Sequence, residues 1–257
     1  MPDIATKNPQ YVPGHGLLAG KGVLITAAAG SGIGSSTALK CIEEGARVVI
    51  SDKHERRLAE TAAELGVVGI QCDVTNEESV QNLIAQAAKE LGAIDVLVNN
   101  AGLGGTAQLH EMTDEQWSIV LDVTLNGTMR CTRAALNHMY PRGTGVIVNN
   151  ASVLGWRAQE GQAHYAAAKA GVMALTRCAA IEAGPRGVRI NAVSPSIAMH
   201  ANLAKVTSDE LLAELTQREA FGRFAEPWEI ANVIVFLASD YSSYMTGEVL
   251  SVSSQHA

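Results

Sequence analysis

Residues 22–52 read GVLITAAAGSGIGSSTALKCIEEGARVVISD. An apolar run over residues 22–26 ends at a glycine-rich turn, a helical pattern covers residues 34–44, and a β-branched run covers residues 47–51. Both runs are continuous rather than alternating, which is typical of strands buried on both faces of a parallel sheet. The stretch therefore predicts two parallel strands joined by a helix, with the turn at the carboxyl end of the first strand.

The same alternation continues to the end of the chain. Further strands are predicted at 67–72, 96–99, 146–150, 189–193 and 249–252, and helices at 54–65, 76–91, 114–139, 162–183, 208–219 and 227–238. Repeated β-helix-β units with right-handed crossovers give an α/β, Rossmann-type, doubly wound parallel sheet, here of about seven strands with helices on both faces. We expect residues 1–20 to form an N-terminal arm and residues 21–257 a single domain. Residues 196–220 are a candidate lid at the sheet edge where ligands bind.

Composition and charge exclude several classes of function. The net charge of −7 gives no basic surface for nucleic acid or an anionic membrane. No apolar run reaches the roughly 18 residues of a membrane span, and residues 1–20 do not have the pattern of a signal peptide. The cysteines lie far apart among apolar residues and form no C-x-x-C pair; they are Cys41, Cys72, Cys131 and Cys178. We expect buried thiols, no metal site and a cytoplasmic location.

The glycine-rich turn is a candidate phosphate site. Its glycines let the backbone approach a ligand, and the N–H groups and dipole of the following helix favour an anion. A glycine cluster alone is equally consistent with a tight structural turn, but the preceding strand and following helix favour a dinucleotide. The candidate cofactor-binding residues of the turn are Gly30, Ser31, Gly32, Ile33 and Gly34.

Asp52 ends the second strand, 18 residues after Gly34. A carboxylate at about this spacing binds the ribose hydroxyls of NAD and repels the 2′-phosphate of NADP, so NAD is predicted ahead of NADP. Two alternatives remain: Asp52 caps the following helix, or the nearby basic side chains bind a phosphate, and these are Lys53, Arg56 and Arg57.

Two more strands end in candidate cofactor-binding residues. Asp73 and Val74 follow the third strand, and Asp73 is placed to accept a hydrogen bond from an adenine amino group. Its alternative role is to cap the next helix. The residues that follow the fourth strand are Asn100, Ala101 and Gly102. For Asn99 and Asn100 the alternative is local turn chemistry.

Ser152, Tyr165 and Lys169 are the candidate catalytic residues. Tyr165 lies 13 residues after Ser152, and Lys169 follows four residues later, so Tyr165 and Lys169 share a helix face. Reduction of a carbonyl needs a proton donor, and oxidation of an alcohol needs the same group as a base. A phenol with a pKa of about 10 needs roughly 4 kcal/mol of stabilisation to titrate about 3 units lower, which a nearby ammonium and an oxidised nicotinamide favour. Ser152 would hold the substrate oxygen. A lone Tyr-x-x-x-Lys is more often surface packing, but the upstream serine and glycine turn favour catalysis.

Together these motifs resemble the short-chain dehydrogenase/reductase family, of the single-domain kind that includes 3-oxoacyl-carrier-protein reductases. The likeness covers about residues 19–252 and includes Asn191-Ala192-Val193-Ser194-Pro195. It implies a seven-stranded sheet, hydride transfer between a nicotinamide cofactor and a secondary alcohol or ketone, and a homo-oligomer, either tetramer or dimer. The cofactor-binding prediction also includes Pro195, Ala198, Tyr165 and Lys169.

The sequence departs from the family pattern at the glycine turn, which is one residue longer, and at Thr124, where the family has an asparagine that holds a water linked to the lysine. We include Thr124 among the catalytic residues. The same substitution motivates an alternative function, a cofactor-binding sensor or scaffold with little activity. A sugar-nucleotide epimerase or dehydratase is disfavoured, since too little sequence follows the sixth strand for a larger substrate domain.

The substrate is expected to be a largely apolar small molecule. The Thr-Ala-Ala-Ala-Gly opening of the turn is similar to that of actinobacterial members that act on coenzyme A thioesters from steroid-ring breakdown. The apolar residues of the candidate lid fit such a substrate, although most of them also serve to bury the lid helix. The candidate substrate-binding residues are Ser152, Arg157, Gln159, Tyr165 and Met199. For Arg157, Gln159 and His164 a plain surface position is the alternative.

Overall fold

Seven parallel strands form the centre of the computed structural model, which describes residues 9–198 and 209–254. They are β1 (Gly22–Ile25), β2 (Arg47–Asp52), β3 (Val68–Gln71), β4 (Val96–Asn99), β5 (Gly145–Asn150), β6 (Val188–Pro195) and β7 (Val249–Val252). Their order in the sheet is β3-β2-β1-β4-β5-β6-β7. This order confirms the predicted α/β doubly wound fold.

Helices cover both faces of the sheet. They are α1 (Ile33–Glu43), α2 (Glu55–Leu65), α3 (Glu77–Leu91), α4 (Asp114–Leu121), α5 (Gly127–Met139), α6 (Ala163–Ala183), α7 (Asp209–Gln217) and α8 (Pro227–Ala238). Leu24 packs with α3, α5 and α6, whereas its neighbours Val23 and Ile25 pack with α1, α2 and α8. Successive side chains of a strand point to opposite faces, which explains why the predicted strands are apolar throughout.

The strand order changes direction at β1: β2 and β3 follow on one side of it, whereas β4 and the later strands lie on the other side. The connections leaving β1 and β4 therefore diverge and leave a crevice at the carboxyl ends of these strands. Doubly wound sheets bind their ligands in such a crevice. Thr26, Asp52 and Asn100 all lie at this edge, immediately after or at the end of their strands.

The helix predicted over residues 114–139 is interrupted. α4 ends at Leu121, a π-helical turn spans Asp122–Asn126, and α5 begins at Gly127. Thr124 lies within this turn and is fully buried. A π turn accommodates one extra residue without breaking the helix and occurs frequently at functional sites. The sequence predicted one continuous helix over residues 114–139 because a single inserted residue rotates the apolar face without interrupting the helical pattern.

Residues 9–20 pack against the end of α1. The buried carboxylate of Glu44 accepts the N–H groups of His15 at 2.8 Å and Leu17 at 2.9 Å. The buried ammonium of Lys40 donates to the carbonyl of Val12 and to Glu43. Burial alone would raise the pKa of Glu44, but these N–H groups and Lys40 outweigh it and hold the pKa below its usual value. The division into an arm over 1–20 and one domain over 21–257 stays a prediction.

The cysteine prediction is corrected at one position. Cys41, Cys72 and Cys131 are buried free thiols, but Cys178 is exposed. It lies on α6 next to Arg177, on the side of the helix that faces away from the sheet. The helical repeat places one residue in three or four on each face, so apolar neighbours in sequence do not guarantee burial.

No helix within residues 9–198 and 209–254 is both long and apolar enough to cross a bilayer.

Glu44→Ala is expected to lower the free energy of unfolding by about 3 kcal/mol, because two N–H groups of the arm lose a charged acceptor. Urea denaturation at neutral pH measures this loss. Glu64→Ala, at an exposed position on α2, is the control and should change the free energy by no more than about 0.5 kcal/mol. Equal stabilities of the two variants would show that residues 15–17 contribute nothing to folding.

Candidate active site

The glycine-rich turn is held by two neighbouring elements. The N–H of Ala29 donates to Asp52 Oδ2 at 3.3 Å, and the N–H of Gly30 donates to Thr61 Oγ1, on α2, at 2.9 Å. Gly30 has a φ of +90°, a conformation that favours glycine. Gly30 is therefore a left-handed glycine of the turn whose N–H is tied to α2. Thr61 was not found from the sequence, because nothing in an ordinary helical pattern marks it as a partner of the turn.

The start of α1 fits a diphosphate. Gly32 is the N-cap and has no side chain to satisfy the first turn, and the first bond of the helix runs from the N–H of Ser36 to Gly32 O. The N–H groups that precede Ser36 in the helix thus lack intrahelical acceptors, and they lie at the positive end of the helix dipole. Ser31 is exposed, and a Cβ at Gly32 would meet open space. Gly34, in contrast, touches the turn, since a Cβ there would lie 2.6 Å from Ala27 O.

Asp52 is 8% exposed and accepts two backbone N–H groups, that of Ala29 and that of His54 at 2.9 Å. The carboxylate therefore joins the turn to the end of β2, and it keeps acceptor capacity, because two carboxylate oxygens offer about four lone-pair sites. Lys53 is paired with Asp73 at 2.7 Å. Arg56 is paired with Glu60, so two of the three neighbouring basic side chains are already engaged.

Asp73 organises the loop after β3 rather than capping α3. Its Oδ1 accepts the N–H of Thr75 at 3.0 Å and the hydroxyl of Thr75 at 2.7 Å, and the N-cap of α3 is Asn76. Burial would raise the pKa of Asp73, but Lys53 and Thr75 hold it below its usual value. The side chain of Val74 is buried and packs against Gly127, so any contact that Val74 makes with a cofactor must use its backbone.

The loop after β4 joins the turn to the catalytic residues. Thr26 Oγ1 accepts the N–H groups of Asn100 at 3.0 Å and Ala101 at 3.2 Å, and Asn100 Nδ2 donates to Ala27 O at 2.8 Å. Gly102 lies beside the lysine, since a Cβ there would be 3.3 Å from Lys169 Nζ. The structure thus brings the predicted residues of three loops together at one edge of the sheet.

Ser152, Tyr165 and Lys169 are brought together as predicted. Ser152 is the N-cap of a short 3₁₀ turn, Val153–Gly155, and its Oγ accepts the N–H of Leu154 at 3.2 Å. The side chain of Ser152 lies close enough to Tyr165 to lower the pKa of the phenol. Lys169 Nζ lies 5.5 Å from the centroid of the Tyr165 ring and donates to Asn150 O at 2.5 Å.

The protein's own groups do not make the phenol acidic. Burial raises the pKa of Tyr165 to about 12, although the nearby hydroxyl of Ser152 acts to lower it. Burial also lowers the pKa of Lys169 to about 8. The expected acidification by Lys169 therefore does not come from this pair alone. Desolvation disfavours the charged form of both groups, so an acidic phenol requires a further positive charge in the crevice.

Thr124 positions the loop beside Lys169. Its hydroxyl accepts the N–H of Leu103 at 3.0 Å and donates to Leu103 O at 3.3 Å. Its own carbonyl accepts the hydroxyl of Thr128 at 2.8 Å. Thr124 thus acts on the loop that contains Gly102, and no direct contact with the ammonium of Lys169 is seen within the described residues.

Two loops next to Tyr165, residues 104–107 and 157–162, are joined by hydrogen bonds and form one wall. Gln162 Nε2 donates to Gly105 O at 2.8 Å, and the N–H of Ala107 donates to Gly161 O at 3.1 Å. Arg157 and Gln159 lie half-buried on this wall, while His164 is buried rather than on the surface. Trp156 is 51% exposed, an unusual position for a large aromatic side chain.

Three further predicted residues lie after β6. Pro195 is buried at the end of the strand, and Ala198 forms an isolated parallel bridge with Ala225. Met199 lies outside the described residues, as does most of the first half of the candidate lid. Of the lid helix, α7 spans Asp209–Gln217, close to the predicted 208–219.

Comparison with known proteins decides the family. A family model described as enoyl-(acyl carrier protein) reductase matches residues 27–254. A short-chain dehydrogenase from Mycobacterium smegmatis superposes with a TM-score of 0.88 and 59% identity, covering 98% of this chain and 100% of that one. The chain belongs to the short-chain dehydrogenase/reductase family. It is thus an NAD(P)-dependent oxidoreductase that acts on hydroxy or oxo groups.

Two curated members of the short-chain dehydrogenase/reductase family are close relatives of this chain. The (5R,7aS)-5-hydroxy-7a-methyl-1-oxo-2,3,5,6,7,7a-hexahydro-1H-indene-carboxyl-CoA reductase of Mycobacterium tuberculosis is 63% identical, over 96% of this chain and 97% of that protein. The cis-4-hydroxycyclohexanecarboxylate dehydrogenase of Sinomonas cyclohexanicum is 41% identical, over 90% and 94%. Both names describe a hydroxylated carbon ring that carries a carboxyl function.

Two alanine substitutions separate the steric role of the turn from its binding role. Gly34→Ala should lower the melting temperature by several degrees, because its Cβ would lie 2.6 Å from both Ala27 O and Asn100 Nδ2. Gly32→Ala meets no neighbouring atom, so it should leave the melting temperature nearly unchanged and weaken dinucleotide binding. Calorimetric titration with NADH measures binding. Unchanged affinity in Gly32→Ala would place the diphosphate elsewhere.

Proposed function

We propose that this dehydrogenase interconverts a ring ketone and the corresponding secondary alcohol, with Tyr165 as its acid and base. The observation that carries the proposal is the meeting of Ser152, Tyr165 and Lys169 at the sheet edge beside Gly102, with Lys169 Nζ 5.5 Å from the centroid of the Tyr165 ring. A mere scaffold would not need this arrangement of hydroxyls beside a buried amine. The nicotinamide cofactor, when bound, supplies or accepts the hydride.

The protein's own residues would handle the proton. In reduction, Tyr165 Oη donates its proton to the carbonyl oxygen of the substrate, and in oxidation it removes the proton of the alcohol. The hydroxyl of Ser152 donates a hydrogen bond to the same oxygen and holds it near Tyr165. The ammonium of Lys169 stabilises the phenolate, together with the positive charge of the oxidised nicotinamide. Thr124 and Gly102 keep the lysine in place through the loop after β4.

We propose NAD rather than NADP as the cofactor. Asp52 places a buried carboxylate at the end of β2, and it retains lone pairs for two ribose hydroxyls. A 2′-phosphate would face this negative charge, while Lys53 and Arg56 are bound to other carboxylates. We further propose that Gly30–Gly34, Asp73, Val74, Pro195 and Ala198 contact the cofactor. We also propose that the protein is a homo-oligomer, either a tetramer or a dimer, and that it acts in the cytoplasm.

For the substrate we propose a carbon ring that carries a carboxyl function as its coenzyme A thioester. The two curated relatives share a hydroxylated ring and a carboxyl group in their names. The indole of Trp156, four residues after Ser152 in the chain, is 51% exposed and offers an apolar surface for a ring. Arg157 and Gln159 on the same wall supply polar contacts.

Turnover of a substrate panel tests the proposal. Hydroxylated hexahydroindene- and cyclohexane-carboxyl-CoA thioesters should be oxidised with a higher kcat/KM than a linear 3-hydroxyacyl-CoA of similar carbon number. Tyr165→Phe should lower kcat by a factor of about 10²–10⁴, the usual contribution of general acid–base catalysis, because it removes the hydroxyl and keeps the ring. Retained turnover in Tyr165→Phe would overturn the mechanism, and a preference for linear chains would overturn the substrate class.

The two directions of the reaction should differ in pH dependence. Because the pKa of Tyr165 is raised to about 12, the phenol is protonated at neutral pH and ready to act as an acid. Between pH 6 and 8, kcat/KM for oxidation should rise with pH, approaching tenfold per unit below pH 7, where Lys169 is still largely charged. Reduction should stay nearly flat over the same range. Measurements at saturating cofactor test this, and an oxidation rate that falls from pH 6 to 8 contradicts the role of Tyr165 as the base.

A further inference from the structure

Asn150, the last residue of β5, carries two separate hydrogen bonds that lead in opposite directions through the site. Its carbonyl accepts the ammonium of Lys169 at 2.5 Å. Its side-chain Nδ2 donates to Asn100 Oδ1 at 3.0 Å. Asn100 in turn donates to Ala27 O, in the glycine-rich turn, at 2.8 Å. A continuous chain of hydrogen bonds therefore joins the turn to the candidate catalytic lysine across the ends of β1, β4 and β5.

The direction of this chain is fixed by its first acceptor. Ala27 O can only accept, so the amide of Asn100 must present Nδ2 to it and Oδ1 to its other neighbour. Asn150 must then present Nδ2 to Asn100. This orientation leaves Asn150 Oδ1 buried and without a donor among the described residues. An unpaired buried acceptor is costly, and an apolar side chain would avoid that cost but would leave Asn100 unpaired.

Asn100 is in close contact with the start of α1 as well as with the turn. A Cβ at Gly34 would lie 2.6 Å from Asn100 Nδ2 and 2.6 Å from Ala27 O. The amide of Asn100 is therefore packed between the turn and the first residues of the helix that fits a diphosphate. Loss of the partner at Oδ1 removes one of the two hydrogen bonds that orient this amide.

We propose that Asn150 is a positioning residue that couples the phosphate-binding turn to Lys169, acting through Asn100. The inference rests on the proposed function, because it assumes that a dinucleotide binds along this edge of the sheet. The side chain of Asn150 holds the turn in position through Asn100, and its carbonyl holds the ammonium of Lys169. Loss of the side chain should therefore weaken cofactor binding more than it slows the chemical step.

The chain supplies a matched control in the preceding residue. Asn149 also pairs with an asparagine of β4, since its Oδ1 accepts Asn99 Nδ2 at 2.9 Å. It lies on the opposite face of the sheet, where its Nδ2 donates to Thr176 Oγ1 of α6 at 2.9 Å. The two asparagine pairs are alike in chemistry, but only the Asn100–Asn150 pair leads to the turn.

The test compares Asn150→Leu, Asn150→Asp and Asn149→Leu. Aspartate keeps the approximate volume of Asn150, leucine keeps its branching at Cγ, and both remove its donor. Both variants should raise the Kd for NADH, measured by fluorescence titration without substrate, about tenfold, equivalent to about 1.4 kcal/mol. The KM for NAD should rise in parallel, while kcat should fall less than about threefold. Asn149→Leu should lower the melting temperature and leave the Kd unchanged; if it does not fold, Asn149→Ser takes its place.

A double variant tests the route through Asn100. If Asn150 acts through Asn100, Asn100→Leu combined with Asn150→Leu should bind NADH no more weakly than Asn100→Leu alone, because the coupling is already lost. Wild-type affinity in both Asn150 variants, or additive losses in the double variant, would overturn the inference. A wild-type protein that binds NADH but turns over no ring substrate would overturn the proposed function and leave this inference standing.

Discussion

Every strand of the sheet runs in the same direction, and this single constraint brings the site together. Because the strands are parallel, the loops after β1, β2, β4 and β5 all emerge at one edge. Residues that lie more than a hundred positions apart in the sequence, such as Ala27 and Lys169, thereby become linked through two asparagines. The crevice at β1 and β4 then determines where along this edge a ligand fits. The position of the candidate site is thus determined by the sheet topology, which brings side chains from distant parts of the sequence to the same edge.

The same edge imposes an electrostatic cost that shapes the reaction. A buried phenol and a buried amine are each driven toward their neutral forms, which raises the pKa of Tyr165 to about 12 and lowers that of Lys169 to about 8. A neutral phenol suits proton donation to a ketone. Proton abstraction from an alcohol needs a further positive charge, and an oxidised nicotinamide carries one. The redox state of the bound cofactor thus determines whether the phenol is prepared to donate a proton, for reduction, or to accept one, for oxidation.

The sequence predicted the sheet, most element bounds and the family, because these depend on periodic burial and on short motifs at strand ends. It did not predict the π turn at Asp122–Asn126, since one extra residue shifts a helical pattern without interrupting it. It also missed Thr61, which holds the extended turn, and Gln162, which clasps two loops. Such partners carry no local signal: their role depends on which distant loop folds against them. The exposure of Cys178 was missed for a related reason, as apolar neighbours in a helix lie on different faces.

The two asparagine pairs show how far a sequence argument can reach at this site. Asn99-Asn100 and Asn149-Asn150 are two repeats of one residue type, each at the end of a predicted strand, and for Asn99 and Asn100 local turn chemistry is the alternative to a role at the cofactor. Once β4 and β5 lie in register, with Asn99 opposite Asn149, the alternation of side chains sends one pair to the helices Gly127–Met139 and Ala163–Ala183 and the other to the turn. The first pair stabilises the contact between sheet and helices. The second faces the crevice, so a difference of one position along a strand separates a residue that packs against the helices from one that faces the candidate active site.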